Sequence, residues 1–183
     1  MRVISGTARG IKLETIEGLD TRPTTDRVKE ALFSMIQPQI YGAMALDLFS
    51  GSGALGIELL SRGSTRVVFV EEHVKAKDII VKNLKKTSLT EQSEVVASDV
   101  YRYLERYQGN LFDIIVMDPP YLKGHVRRCM DLIQMNNLLC EKGIIIVEHD
   151  ISDDEVKNHA NYYQMLKSKK YGKIGLTVFG RTP

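Results

Sequence analysis

The sequence predicts an α/β fold, an open and mostly parallel sheet with helices on both faces, and three observations carry that expectation. From Ala43 onward, short apolar runs rich in valine and isoleucine alternate with stretches of helical spacing. A glycine-rich turn, Gly51-Ser52-Gly53-Ala54-Leu55-Gly56, joins the first such run to the first such helix. Acids recur at or just past the C-terminal ends of the runs: Asp47, Glu71, Asp99, Asp118 and Glu148. In a parallel sheet those ends share one edge, and ligands bind there where the strand order reverses.

The elements follow in order. Val3-Ile4-Ser5 and Ile11-Lys12-Leu13, separated by Arg9-Gly10, predict a short hairpin outside the main sheet. Pro23 before a Thr pair, with Asp26 in the first turn and Val28, Ala31, Leu32 and Met35 at helical spacing, starts a helix. Strands are expected over 43–49, 66–71, 94–97, 111–117 and 143–148, with a closing pair near 162–166 and 174–179. Helices are expected over 54–61, 74–86, 100–107, 125–139 and 153–159. Such alternation implies right-handed crossovers. No repeat, low-complexity tract or linker divides the chain, so 1–183 reads as one domain: a hairpin-and-helix extension over 1–40 and a core over 43–183.

Composition limits the function classes. With 43% hydrophobic and 26% charged residues in 183, the chain can bury a sizeable core. No run approaches the roughly 18 apolar residues that span a bilayer, and the start lacks the apolar centre of a signal peptide. A soluble, cytoplasmic protein without a membrane partner is expected. Cys129 and Cys140 match no metal or redox spacing and fall on one face of a predicted helix, where core thiols are the expected reading. The four histidines are scattered without ligand spacing, so no metal is expected. A net charge of +2 does not by itself announce nucleic-acid binding.

Asp118-Pro119-Pro120-Tyr121 ends the apolar run Leu111 to Met117. Two prolines cannot continue a ladder, so the chain breaks there and presents a carboxylate, free carbonyls and a flat ring. That set suits a planar ligand with an amino group. Gly51-x-Gly53-x-x-Gly56, with Glu71 about 20 residues on, also satisfies the dinucleotide fingerprint. Asp47 on the same strand argues against a pyrophosphate, which its charge would repel. S-adenosylmethionine, with a sulfonium, an ammonium, two ribose hydroxyls and no phosphate, fits an acidic edge better.

Leu46 to Gly56, Asp118 to Tyr121 and Arg22-Pro23-Thr24-Thr25-Asp26-Arg27-Val28 together resemble the bacterial 16S ribosomal RNA guanine-N2 methyltransferases, over nearly the whole chain. The first two motifs are shared by many amino-methylating enzymes, and the third points to this family. The resemblance implies a Rossmann-like seven-stranded sheet of the class I S-adenosylmethionine-dependent methyltransferases, with one antiparallel strand near its end. It implies that Asp47 and the Gly51-Ser52-Gly53 backbone meet the methionine end of the cofactor, Glu71 the ribose and Asp99 the adenine. Arg22, Thr24, Phe49 and Val100 complete that candidate set, and Asp118, Pro119, Pro120 and Tyr121 would receive the target base. The implied partner is 16S rRNA in the 30S subunit or a late precursor, met by a monomer.

Candidate RNA contacts are Arg2, Arg9 and Lys12 in the hairpin, Lys123, Arg127 and Arg128 after the Asp-Pro-Pro-Tyr turn, and the tail Lys167, Lys169, Lys170, Lys173 and Arg181. Tyr171 could stack on a base or cover core. An adenine-N6 or cytosine-N4 nucleic-acid methyltransferase would use the same turn, but the chain has no room for a large target-recognition domain. An NAD-dependent oxidoreductase and a non-catalytic RNA-binding module are the remaining alternatives.

Overall fold

The computed structural model describes residues 1–15, 26–154, 156 and 162–182. Arg22, Thr24 and most of the helix expected over 153–159 lie outside them. The strands are β1 (Met44–Leu48), β2 (Arg66–Glu71), β3 (Ser93–Ala97), β4 (Phe112–Met117), β5 (Leu139–Asp150), β6 (Tyr163–Tyr171) and β7 (Ile174–Arg181). The helices are α1 (Asp26–Ile40), α2 (Ala54–Ser61), α3 (Val74–Thr87), α4 (Val100–Arg106) and α5 (His125–Met135).

All seven strands join one sheet in the order β3-β2-β1-β4-β5-β7-β6. Strands β1 to β5 pair in parallel, and β7 runs antiparallel to both β5 and β6. From β1 the chain winds outward to β2 and β3, then returns to place β4 on the other side of β1. That reversal between β1 and β4 is the switch point where a parallel sheet opens a crevice.

Period-two alternation divides the central strands between two cores. Leu46, Leu48, Val70, Ile115 and Met117 pack with Leu104, Cys129 and Ile133 of α4 and α5. Ala45, Phe69, Ile114 and Val116 pack on the other face with Leu32, Ile57 and Ile80 of α1, α2 and α3. Each buried valine, leucine, isoleucine, phenylalanine or methionine among them contributes about 1.5–3 kcal/mol relative to exposure. Because both faces are covered, the strands read as unbroken apolar runs rather than alternating ones.

The N-terminal hairpin reduces to one antiparallel bridge, Arg2 with Lys12, supported by Val3 N–H to Ile11 O at 3.0 Å and Gly10 N–H to Val3 O at 2.9 Å. Its turn lies against the end of α2. A Cβ at Gly6 would stand 1.7 Å from Ser61 O, so only glycine permits that approach. Buried Glu58 of α2 accepts from Ile4 N–H at 2.8 Å and Ser5 N–H at 3.0 Å, and pairs with Lys29 at 3.1 Å and Arg62 at 2.8 Å. Ser61 shares the anchoring: Thr7 N–H donates to its carbonyl at 2.8 Å, Ala8 N–H to its Oγ at 3.0 Å, and that Oγ to Ser5 O at 2.6 Å.

Three expected elements change length. β5 begins at Leu139 and α5 stops at Met135, which moves Cys140 from the helix to the strand; only Cys129 is a buried core thiol. Asn137 adopts φ +50 just past α5, and Leu138 N–H returns to Ile133 O at 3.0 Å, closing the helix as left-handed asparagines do. β6 extends to Tyr171 as the sheet's edge, with residues 164–170 exposed. No described helix is long and apolar enough to cross a membrane.

Candidate active site

The ladder fixes which residues meet at the switch point. Leu48 pairs with Met117 and with Val70, and Met117 with Val147, so the chain segments after these residues leave the sheet at one level. The glycine-rich turn, Glu71, the Asp-Pro-Pro-Tyr turn and Glu148 are thereby brought to one edge. Glu148 itself is not a strand end, because β5 continues to Asp150, but it stands one residue beyond the β4 pairing.

The glycine-rich turn is held from beneath. Ser50 Oγ donates to Asp47 O at 2.7 Å, Gly53 N–H to Ser50 O at 2.7 Å, and the Asn83 amide to Ser52 O at 2.9 Å. Gly51 and Gly53 take φ +54 and +78, and even Phe49 sits at +58. Gly56 is required for a different reason: a Cβ there would lie 2.3 Å from the Phe69 ring and 2.9 Å from Asp47 Oδ2. Asn83 carried no motif in the sequence. Fully buried, it also donates to Glu14 O and accepts from Glu14 N–H, so α3 ties the N-terminal segment to this turn.

Asp47 does not line an open edge. Its side chain points to the α2 side, is 1% exposed, and accepts from Gly56 N–H at 2.9 Å, bracing the helix that follows the turn. Burial pushes its carboxyl up to about 7, reinforced by the Glu71 charge and opposed by the Gly56 N–H. A folded pKa above the unfolded value of 3.8 means the folded protein keeps a proton that the unfolded chain has released. The associated stability is complete below about pH 4 and is lost as pH rises through about 7. Asp47→Asn is therefore expected to be more stable than the wild type by about 2–4 kcal/mol at pH 8, with no gain at pH 4. Urea titration at both pH values checks this; a gain independent of pH would contradict it.

Glu71, 7% exposed, accepts from Gly51 N–H at 2.8 Å through Oε2 and from His73 N–H at 2.9 Å through Oε1. Asp99 caps α4 through Oδ1, accepting from Arg102 N–H at 2.9 Å, with Val100 buried beside it. Each carboxylate retains lone pairs for hydroxyl or amine donors.

Across the crevice, Pro119 is buried, Pro120 exposed, and Asp118 and Tyr121 half-buried. The Tyr121 hydroxyl donates to Glu148 Oε1 at 2.8 Å. Burial, then the charges of Glu148 and Asp118, raises its pKa and keeps it protonated. Leu122 and Gly124 take positive φ and turn the chain into α5. There His125 bonds Tyr101 and packs 5.4 Å from the Phe49 ring, and the Arg128 guanidinium covers Tyr101 at 3.7 Å.

The basic candidates divide. Arg9, Lys12, Lys123, Arg127, Lys169 and Lys170 are exposed. Arg2 is exposed but pairs with Asp26 at 2.9 Å, and Arg128 is exposed but stacked as described. Lys167 donates to Met35 O at 2.7 Å, Arg181 clamps Asn137 and Leu139 O, and Tyr171 packs against the core. Those three brace the fold.

A parallel sheet reversed beside β1, with a glycine-rich turn, a strand-end acid on β2 and an Asp-Pro-Pro-Tyr turn after β4, defines a class I methyltransferase. Comparison with known proteins narrows the class. Residues 1–180 match the family described as Conserved hypothetical protein 95. A Bacillus subtilis relative named as an rRNA methyltransferase is 40% identical over 98% of this chain and 98% of its own. Ribosomal RNA small subunit methyltransferase D of Escherichia coli is 33% identical over 99% of this chain and 90% of its own. A solved Escherichia coli structure that bears a methyltransferase name superposes with a TM-score of 0.88 at 32% identity, covering 99% of this chain and 97% of that one. The chain belongs to this family of small-subunit rRNA methyltransferases.

Proposed function

We propose that this protein transfers a methyl group from S-adenosylmethionine to the exocyclic N2 of a guanine in 16S rRNA, in the 30S subunit or a late precursor, acting as one domain over 1–183. The observation that carries the reading is the level meeting of the glycine-rich turn and the Asp-Pro-Pro-Tyr turn across the β1/β4 switch. The donor set favours this cofactor over a dinucleotide. Gly51 N–H, the amide a pyrophosphate would need, is already committed to the Glu71 carboxylate. Glu71 keeps lone pairs for ribose hydroxyls, Asp99 for the adenine amine, and nothing lies within 4 Å of a Cβ position on Gly51.

S-adenosylmethionine supplies a sulfonium methyl that is already a strong electrophile. The guanine amine is a weak nucleophile because its lone pair is delocalised into the ring, so the protein's task is geometry more than basicity. Asp118 and the Pro119 carbonyl accept hydrogen bonds from the amine and favour a pyramidal nitrogen aimed at the methyl, while the Tyr121 ring stacks on the base. Bound S-adenosylmethionine would give up the methyl to N2 with the carbon–sulfur electron pair kept by sulfur, and the surplus N2 proton would leave toward Asp118 or water. The base must be turned out of its stack to reach this turn. Exposed Arg9, Lys12, Lys123, Arg127, Lys169 and Lys170 supply phosphate contacts, with Arg2 and Arg128 available where their present contacts allow. Little surface remains for reading an extended sequence, so RNA shape and the surrounding particle select the site.

The test is methyl transfer from labelled cofactor to 30S subunits lacking the modification, followed by nucleoside analysis. One N2-methylguanosine per particle is expected, with none on duplex DNA; N6-methyladenine or N4-methylcytosine as the main product would promote the alternative target. Calorimetry adds a cofactor arm. Glu71→Ala should weaken S-adenosylmethionine by about 1–3 kcal/mol, and tight NAD binding by the wild type would overturn the assignment.

A further inference from the structure

Among the described residues, Glu148 is an acid of the crevice to which the mechanism above gives no part. It is 1% exposed, lies one residue past the level at which β4 and β5 stop pairing, and faces the catalytic turn across 27 residues of sequence. Its Oε1 receives the Tyr121 hydroxyl at 2.8 Å. The turn itself has little else to orient that ring: Pro119 and Pro120 lack N–H groups, and the next residue, Leu122, is 63% exposed at φ +58. A ring tied only at its Cβ is free about two torsions. One tied also at its hydroxyl, to a carboxylate fixed in a central strand, holds one plane.

We propose that Glu148 is a positioning residue for methyl transfer, acting through the Tyr121 hydroxyl to hold the ring plane on which the target guanine stacks. This rests on the function proposed above and assigns Tyr121 two ends with separate duties, a face for the base and a hydroxyl for Glu148. The carboxylate also makes the ring more electron-rich by accepting its proton's hydrogen bond. That favours the positive charge which develops on N2 as the new bond forms. Loss of the pair should therefore lower kcat more than it raises KM for the particle, and should leave the product cofactor's affinity unchanged.

The experiment compares wild type, Tyr121→Phe, Glu148→Met and Glu148→Gln, with each Glu148 variant also made in the Tyr121→Phe background. Single-turnover methyl transfer to unmodified 30S subunits, calorimetry with S-adenosylhomocysteine and hydrogen exchange at Tyr121 and Leu122 are measured for all. Roughly tenfold loss of kcat is expected for Tyr121→Phe and for Glu148→Met, with the combined variant no worse than either. Glu148→Gln, which keeps an acceptor oxygen, should recover much of the loss beside Tyr121 and change nothing beside Phe. Exchange at the turn should quicken equally in Tyr121→Phe and Glu148→Met. Multiplying losses, a weakened cofactor, or unaltered exchange in both would overturn the proposal. Should Glu148→Met fail to fold, the Glu148→Gln pair decides: an added effect beside Phe overturns it, and none supports it. If the wild type transfers no methyl group to the particle, the functional reading fails, while the exchange measurements still decide the pairing.

Discussion

Asp118→Ala is expected to slow methyl transfer by about 10²–10³ while leaving the affinity for S-adenosylmethionine nearly unchanged. The separation follows from position. Asp118 follows β4, across the β1/β4 switch from the glycine-rich turn and Glu71, so in the proposed function its carboxylate serves the base and not the ribose. On that reading truncation removes the acceptor for the amine and nothing assigned to the cofactor. Asp118→Asn divides the two duties a carboxylate could perform. Its amide carbonyl still accepts from the amine but cannot take a proton, so an enzyme that works by geometry should retain far more activity in Asp118→Asn than in Asp118→Ala. Single-turnover rates on unmodified 30S subunits, beside calorimetry with the cofactor, check both statements. Equal loss in the two variants would mean that proton acceptance is the main task; undiminished turnover in Asp118→Ala would make the turn structural.

What the sequence revealed, and what it hid, follows from burial. β1, β2 and β4 are legible because strands covered on both faces are mostly apolar, and the Asp-Pro-Pro break marks where β4 must end. The expectation for β6 stops short because its residues 164–170 are exposed, and Lys167, Lys169 and Lys170 read as an acid-free tail for RNA contacts rather than an edge strand. The short expectation for β5 and the long one for α5 share a reason: Glu141 and Lys142 interrupt the apolar run before it becomes central, and Asn137 carries no sequence mark of a left-handed stop.

The site shows the same division. Its acids are legible because parallel strands align their ends, yet strand-end position alone puts Asp47 on the open edge, whereas alternation from Leu46 and Leu48 turns it to the face of Ala45, under α2. Asn83 and the Tyr121 to Glu148 bond were not legible at all. A buried amide in a helix rich in lysine has no signature, and a pairing across 27 residues depends on the completed sheet.

Glu58→Ala is expected to destabilise the protein by about 3–5 kcal/mol, a large share of the 5–15 kcal/mol that typically holds a domain together. Glu58 and Lys29 are both 0% exposed, and the same carboxylate serves Arg62 and the Ile4 and Ser5 amides. Removing it leaves a buried ammonium without its carboxylate, with only the Arg2 carbonyl still accepting from it, and takes the acceptor from two backbone donors at once. Burial already lowers the Lys29 pKa, with Glu58 the main opposing influence, so in the variant Lys29 should give up its proton more readily still. A base whose folded pKa lies below its unfolded value makes stability rise with pH, because the unfolded chain then holds the extra proton. The penalty should accordingly shrink as pH rises toward the ordinary lysine value of 10.5, a trend a simple packing defect would not produce. Replacing both partners, Lys29→Met with Glu58→Leu, should recover much of the loss while the hairpin amides stay unsatisfied. Urea midpoints across pH report the first effect and hydrogen exchange at Ile4 and Ser5 the second. If exchange at those amides stays slow in Glu58→Ala, the hairpin that carries Arg2, Arg9 and Lys12 is anchored by something other than this carboxylate.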